Sequence, residues 1–140
     1  MILLDTNVLS ELMRAEPDSY VIAWVDSQLE STLFTSAITR AEIELGVALL
    51  PEGNRKQTLM VLAQELFNKF PQRCLPFGEM AAAQYGHIMA HRLRVGCPIS
   101  VEDAQIASIA LVNGLRLATR NERDFEEISN LAIINPWQQK

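Results

Sequence analysis

Short apolar runs alternate with longer amphipathic stretches along the 140 residues of the chain. The runs typical of buried strands are residues 2–4, 32–36, 74–77, 115–119 and 131–134. Between them, the hydrophobic pattern predicts helices over residues 8–14, 18–29, 39–50, 55–70, 79–94, 101–113 and 122–128. Because short buried strands separated by helices form parallel sheets covered on both faces, the pattern predicts a three-layer α/β/α sandwich with a central, mainly parallel sheet.

Cap and breaker residues set the predicted ends of several helices. Pro17 and Pro51 are placed to end the first and third helices. Thr39 is placed as the N-cap of the third helix. Ser100 has the same role before the helix over residues 101–113, and Gly114 follows that helix where a left-handed residue is favoured.

Four acidic residues take equivalent places in this layout. Asp5 ends the first strand, and Glu42 falls in the first turn of the helix after the second strand. Asp103 and Asp124 fall in the first turns of two later helices. The carboxyl ends of parallel strands and the helices that follow them share one edge of a sheet, so we expect these four side chains to lie together.

Helix capping is the competing interpretation of each acid taken alone. The patterns that match a capping box or a looser version of it are Thr39-x-x-Glu42, Ser100-x-x-Asp103 and Asn121-x-x-Asp124, and Asp5 has the position of a simple cap. Two apolar stripes favour a further role. Asp103 heads the stripe of Ile106, Ala107 and Ala110, and Glu42 heads the stripe of Leu45, Gly46 and Leu49. Each of these acids is therefore expected at an inner corner of the sheet edge.

A carboxylate cluster of this kind predicts a hard-cation site. Carboxylates within about 4–6 Å repel one another unless a cation lies between them. Oxygen ligands without His or Cys suit Mg²⁺ or Mn²⁺, and such sites hydrolyse phosphodiesters with metal-activated water. The neighbouring residues Thr6, Asn7, Asn121, Arg40 and Arg120 are candidates for positioning the substrate, although Thr6 and Asn7 serve equally well as plain cap residues.

Four segments resemble the PIN-domain toxins of the VapC/FitB type. They are residues 1–12 (MILLDTNVLSEL), 35–46 (TSAITRAEIELG), 99–107 (ISVEDAQIA) and 117–125 (LATRNERDF), followed by the NPW tail at 135–137. The segments come in family order across almost the whole chain. The resemblance implies a PIN-like fold with an acidic pocket that binds Mg²⁺ or Mn²⁺, formed by Asp5, Glu42, Asp103 and Asp124.

The same resemblance implies a biological role. Proteins of this type are endoribonuclease toxins of bacterial toxin–antitoxin pairs, and their substrate is RNA. They are typically homodimers inhibited by a cognate antitoxin, whose C-terminal segment lies along the toxin near its site. The assembled complex binds promoter DNA indirectly, through the antitoxin. Each of these properties is an expectation for this chain.

Composition changes this picture only slightly. The chain has 12 basic and 17 acidic residues, a net charge of −5, and 49% hydrophobic residues, which excludes disorder and favours a single domain over residues 1–140. A wholly electrostatic nucleic-acid binder usually has a pI above about 9, whereas the pI here is near 5.0. If four of the carboxylates bind metal, the negative net charge no longer argues against RNA as a substrate.

The expected location of the protein is the cytoplasm. No apolar run approaches the ~20 residues that span a bilayer, and we expect no contact with a membrane. The first residues lack the basic region of a signal peptide. Cys74 and Cys97 are expected to be reduced thiols in the core, as in a cytoplasmic protein.

Other functions match the sequence less well. His87 and His91 have the spacing of two zinc ligands, but the zinc protease motif needs Glu where Ile88 stands. A phosphoacceptor receiver domain needs a pair of early acids and a late lysine, and this chain has Asp5 alone and Arg120. The remaining alternative is a catalytically weak or inactive PIN-like protein that acts by binding partners in an antitoxin–DNA complex.

Overall fold

The computed structural model describes residues 1–138, so the last two residues of the predicted domain lie outside the described part. The strands are β1 (Ile2–Leu4), β2 (Leu33–Ser36), β3 (Cys74–Leu75), β4 (Arg116–Ala118) and β5 (Ile133–Ile134). The α-helices are α1 (Thr6–Leu12), α2 (Ser19–Asp26), α3 (Ala37–Ala48), α4 (Asn54–Asn68), α5 (Glu79–Arg94), α6 (Val101–Val112) and α7 (Glu122–Phe125). A short 3₁₀ turn over Glu30–Thr32 leads into β2.

The five strands form one parallel sheet in the order β3-β2-β1-β4-β5. The central strand β1 pairs with β2 through Ile2 and Leu33, and with β4 through Leu3 and Leu117. The chain builds the sheet outward from β1 in one direction and then from β4 in the other. The boundary between β1 and β4 is therefore the switch point at which open parallel sheets place their ligand sites.

Two apolar clusters cover the two faces of this sheet. Leu3 and Leu117 point into a cluster with residues of α5 and α6, whereas Ile2 and Leu4 point into a second cluster with residues of α1 to α4. This alternation follows from the two-residue period of a strand. The predicted three-layer α/β/α architecture is confirmed, with the sheet parallel throughout.

The helix ends agree with the sequence at α6 but not at α3. Ser100 caps α6 by accepting a hydrogen bond from the N–H of Asp103 at 3.1 Å, and Gly114 follows the helix with φ +65°. The prediction that Thr39 caps the third helix was wrong. Ser36, in extended conformation at the end of β2, accepts from the Thr39 N–H at 3.1 Å, so the N-cap of α3 lies three residues earlier.

This earlier start moves Glu42 from the first to the second turn of α3, and the expected stripe below it was also wrong. Leu45 and Leu49 are 59% and 74% exposed, and α3 buries Thr39 and Ile43 instead. The stripe headed by Asp103 is confirmed, because Ile106, Ala107 and Ala110 are fully buried.

Two smaller expectations concern the membrane and the thiols. None of the helices described within residues 1–138 is both long enough and apolar enough to cross a bilayer. Cys74 and Cys97 are free thiols, but both are exposed, so the expectation that they lie in the core was wrong. Cys74 begins the edge strand β3, and Cys97 lies in the loop between α5 and α6.

Candidate active site at the sheet switch point

The end of β1 places Asp5 against the end of β4. The N–H of Asp5 donates to the carbonyl of Ala118 at 2.9 Å, which continues the strand pairing by one residue. The Thr119 hydroxyl donates to Oδ2 of Asp5 at 2.7 Å, and the N–H of Thr6 donates to Oδ1 at 2.8 Å. Asp5 is 3% exposed. Both of its carboxylate oxygens are thus fixed by donors, which gives the side chain a defined orientation.

Asn7 and Asn121 extend this hydrogen-bonded frame. The Asn7 amide nitrogen lies 3.4 Å from Oδ2 of Asp5 and 3.3 Å from the Thr119 hydroxyl, while its Oδ1 accepts from the Arg120 N–H at 3.4 Å. The N–H of Asn121 donates to the same Thr119 hydroxyl at 3.0 Å. These bonds tie the first turn of α1 to the loop after β4.

Thr6 connects the frame to α3. Its hydroxyl donates to Oε1 of Glu42 at 2.6 Å and lies 3.0 Å from the hydroxyl of Thr39. A hydroxyl has a single proton, so Thr39 must donate in the second contact while Thr6 donates to the carboxylate. Glu42 therefore reaches the switch point from the second turn of α3 and is oriented by Thr6.

Asp103 enters from α6, and Asp124 lies at the margin. Asp5, Glu42 and Asp103 line one pocket of about 450 Å³, together with Thr6, Asn7, Asn121 and Arg120. Asp124 does not line this pocket, and its side chain is exposed in the short helix α7. It lies near enough to Asp103 for its negative charge to raise the pKa of that carboxyl.

Burial and the neighbouring negative charges raise the pKa values of Asp5 and Asp103. Burial raises the pKa of Asp5 to about 6; the hydrogen bonds from Thr119 and Thr6 oppose this, and the charges of Asp103 and Glu42 add to it. Burial also raises the pKa of Asp103, against the hydrogen bond with Ser100. A bound cation would relieve the repulsion among these carboxylates.

The donor set fits a hard divalent cation that retains water ligands. Asp5, Glu42 and Asp103 offer only oxygen, which Mg²⁺ and Mn²⁺ prefer. Among residues 1–138, no three His, Cys, Asp or Glu side chains converge closely enough to hold an ion unaided. Mg²⁺ usually keeps several waters and uses one or two carboxylates, so the more open arrangement suits it.

Arg40 is the predicted positioning residue that the structure does not bring to the pocket. Its guanidinium lies over the ring of Phe67, 4.9 Å from the centroid, and 3.9 Å from a carboxylate oxygen of Glu44. These contacts place it against α4. The other four predicted positioning residues all line the acidic pocket: Thr6, Asn7, Asn121 and Arg120.

Several residues at the site were missed by sequence reasoning. The Thr119 hydroxyl orients Asp5, and the Thr39 hydroxyl bonds to that of Thr6. Trp137 lines the pocket from the NPW tail. Glu11 and Arg14 also line it, paired with each other at 3.2 Å. The NPW motif was the only sequence signal for Trp137, and it does not predict that this residue lies near the acids.

A second, mainly apolar groove adjoins the acidic pocket. It lies among α1, α3 and α4, has a volume of about 920 Å³, and is lined in part by Met13, Ile43, Val47, Leu59 and Leu62. The residues common to the groove and the pocket are Thr6, Ser10, Arg14 and Glu42. The two concavities are therefore continuous through a shared wall.

A parallel α/β fold with carboxylates at its switch point, one of them buried, defines a class of proteins that gather acidic side chains at one sheet edge. Within that class, the chain belongs to the PIN domain family, whose model matches residues 2–131. The resemblance to the VapC/FitB type is confirmed.

Three similar proteins show how far the likeness extends. The VapC ribonuclease Y4jK of Sinorhizobium fredii is 43% identical over 139 residues, covering 99% of each chain. The toxin FitB of Neisseria gonorrhoeae is 43% identical over 138 residues, covering 98% of this chain and 99% of FitB. A solved structure of FitAB bound to an IR36 DNA fragment contains a chain that is 40% identical, with a TM-score of 0.91 and coverage of 100% and 98%.

Proposed function

We propose that this protein is a Mg²⁺- or Mn²⁺-dependent endoribonuclease and the toxin of a toxin–antitoxin pair. The observation that carries the proposal is the buried Asp5 carboxylate, which is fixed by two donors in a pocket shared with Glu42 and Asp103. The names of the similar proteins, a VapC ribonuclease and the toxin FitB, support the same activity and role.

In this function the chain holds the ion and orients the RNA. Asp5, Glu42 and Asp103 would hold the cation, with Asp124 at the margin of the site. A bound divalent ion would supply a water molecule of lowered pKa and neutralise charge on the scissile phosphate. The hydroxyls of Thr6 and Thr119 keep the carboxylates in place. Asn7, Asn121 and Arg120 surround the same pocket and position the phosphodiester for attack by water.

The test compares the wild type with Asp5→Asn and Glu42→Gln on total RNA, using protein freed of antitoxin. We expect cleavage with Mg²⁺ or Mn²⁺, none with EDTA, and a loss of at least about a hundredfold in either variant. Glu44→Gln is the matched control, because Glu44 lies on the same helix but is exposed and does not line the pocket. Calorimetry should detect metal binding by the wild type and the control only.

The nuclease proposal fails if the purified wild type cleaves no RNA and binds neither metal. It also fails if Asp5→Asn arrests growth as strongly as the wild type does. That second result would support the partner-binding alternative, in which the acids have no catalytic role.

The proposed partner is a cognate antitoxin whose C-terminal segment occupies the apolar groove. The groove is continuous with the acidic pocket, so a segment lying in it reaches the carboxylates. The chain itself has a net charge of −5, which favours DNA contact through the antitoxin rather than directly. We expect Val47→Asp, inside the groove, to weaken copurification with the antitoxin, and Leu93→Asp, outside it, to leave copurification unchanged.

We also propose that the protein is a homodimer and that it is located in the cytoplasm. Sedimentation of the antitoxin-free chain should give twice the 15.7 kDa of the chain. Fractionation of cells that express the chain should recover it with the cytoplasmic proteins.

A further inference from the structure

A stacked cation and ring form part of the rim of the acidic pocket. The guanidinium carbon of Arg120 lies 5.3 Å from the ring centroid of Trp137, within cation–π range. Both residues line the pocket that contains Asp5, Glu42 and Asp103. Within residues 1–138, Arg120 forms no ion pair, although four carboxylates, those of Asp5, Glu11, Glu42 and Asp103, line the same pocket. Its guanidinium is directed to the ring and not to the acids.

The frame of the site holds both members of this pair. Arg120 follows Thr119, and its N–H donates to Oδ1 of Asn7, so its backbone lies beside the donors that fix Asp5. Trp137 is held by a turn in which its N–H donates to Oδ1 of Asn135 at 2.9 Å. The Asn135 amide in turn donates to Glu122 at 3.1 Å, which ties the tail to α7.

The two members differ in exposure. Trp137 is partly buried and packs against the apolar cluster of β1 and helices α1 to α4, whereas Arg120 is exposed. The guanidinium therefore lies against the ring and is still accessible from solvent. Planar guanidinium and aromatic groups stack on unpaired nucleobases, whose faces in a duplex are already covered by neighbouring bases.

We infer that Arg120 and Trp137 form a stacking platform that holds one unpaired nucleobase of the substrate beside the acidic pocket. This inference rests on the proposed ribonuclease function and adds to it a contact that positions the substrate, formed by these two residues with a base next to the cleaved bond. Arg120 then recognises a base face through its plane and not only a phosphate through its charge. Trp137 acts as a positioning residue that keeps this plane in place.

Trp137 itself supplies the readout. The chain has two tryptophans, so Trp24→Phe leaves Trp137 as the only one. This single-tryptophan protein is titrated with hexaadenylate and with a hexamer of the same charge made of abasic ribose phosphates. Ca²⁺ replaces Mg²⁺, and the RNA is checked for integrity afterwards. We expect the fluorescence to change with hexaadenylate and to stay nearly constant with the abasic hexamer.

Substitutions separate stacking from charge. Arg120→Lys keeps the positive charge but removes the plane, and we expect it to weaken hexaadenylate binding about tenfold while leaving binding of the abasic hexamer unchanged. Arg116→Lys is the matched control, since Arg116 is exposed at the opposite end of β4. Trp137→Leu should weaken hexaadenylate binding, whereas Trp137→Phe, which keeps an aromatic ring, should retain most of it.

These experiments distinguish failure of the stacking platform from failure of the ribonuclease function. Equal responses to the two hexamers, or an Arg120→Lys protein that binds hexaadenylate as the wild type does, overturn the platform. A wild type that cleaves duplex RNA as fast as the same strand unpaired also overturns it, while the ribonuclease function stands. A wild type that neither binds nor cleaves any RNA overturns both.

Discussion

The two halves of the acidic pocket are built differently. On one side, Asp5 and Glu42 are held by side-chain hydroxyls, those of Thr119 and Thr6. On the other side, Asp103 lines the pocket from α6, and the exposed Asp124 lies at its margin on α7. There, the buried Arg92 donates from Nε to the carbonyl of Cys97 at 2.7 Å and from Nη1 to the carbonyl of Asp124 at 3.0 Å.

The two kinds of contact therefore have different roles, since one orients a carboxylate side chain and the other supports a segment of backbone. A hydroxyl bonded to a carboxylate fixes the direction of that carboxylate, so its loss affects chemistry more than folding. A guanidinium bonded to two carbonyls fixes a segment of backbone, so its loss affects the fold of that segment first. Substitutions at four positions, Arg92, Thr6, Asp5 and Asp124, test this contrast.

Arg92→Ala should lower the free energy of unfolding by about 3 kcal/mol, because it removes two charge-assisted hydrogen bonds to carbonyl oxygens. Denaturant titration measures the loss, and Arg94→Ala on the exposed side of the same helix should change little. Hydrogen exchange should quicken in α7 before it does in β1. Equal quickening in both would mean that Arg92 does not act on one half of the pocket.

Thr6→Val should lower cleavage about 10–100-fold with little loss of stability, because Glu42 loses the donor that orients it. Thr6→Ser keeps the hydroxyl and should retain most of the activity. Calorimetry should find weaker metal binding in the valine variant. An unchanged metal affinity together with full activity would show that Glu42 needs no such orientation.

Asp5→Asn should stabilise the metal-free protein by about 1–2 kcal/mol near neutral pH, even though it abolishes cleavage. The pKa of Asp5 is raised from 3.8 to about 6, so the folded state favours the protonated carboxyl. The protonated Asp5 carboxyl contributes fully to stability below about pH 4, and this contribution is lost as the pH rises through about 6. The wild type and the variant should therefore have similar stability in acid and diverge between these values in denaturant titrations.

Asp124→Asn should lower cleavage less than about tenfold, the smallest effect of the four, since this side chain is exposed and does not line the pocket. The same assay with Asp103→Asn supplies the comparison within this half of the site. A loss as large as that of Asp103→Asn would place Asp124 among the direct ligands.

Local patterns were sufficient to predict the sheet and the approach of Asp5 and Asp103 to one edge, whereas the family was identified from the resemblance of four segments. The strands are short apolar runs, and Ser100 marks the start of α6 with a side chain that bonds within three residues. The start of α3 was mistaken because Ser36 and Thr39 are both good caps, and only the end of β2 decides between them. That error shifted Glu42 by one helical turn.

Contacts between distant parts of the chain could not be derived in this way. The bond from Thr119 to Asp5 joins residues 114 positions apart, and the contact of Arg120 with Trp137 depends on how the tail returns to the sheet. Arg40 illustrates the converse. It lies next to a site motif in sequence, but the turn of the helix carries its side chain to Phe67.

The wall shared by the groove and the pocket restricts how this protein can evolve. Thr6, Ser10, Arg14 and Glu42 face both concavities, and Thr6 orients Glu42. Under the proposed function, a substitution there that frees the toxin from its antitoxin also disturbs its own catalytic carboxylates. Escape from inhibition must therefore come through the apolar far end of the groove, at residues such as Leu59 and Leu62. There the antitoxin can follow with compensating changes of its own.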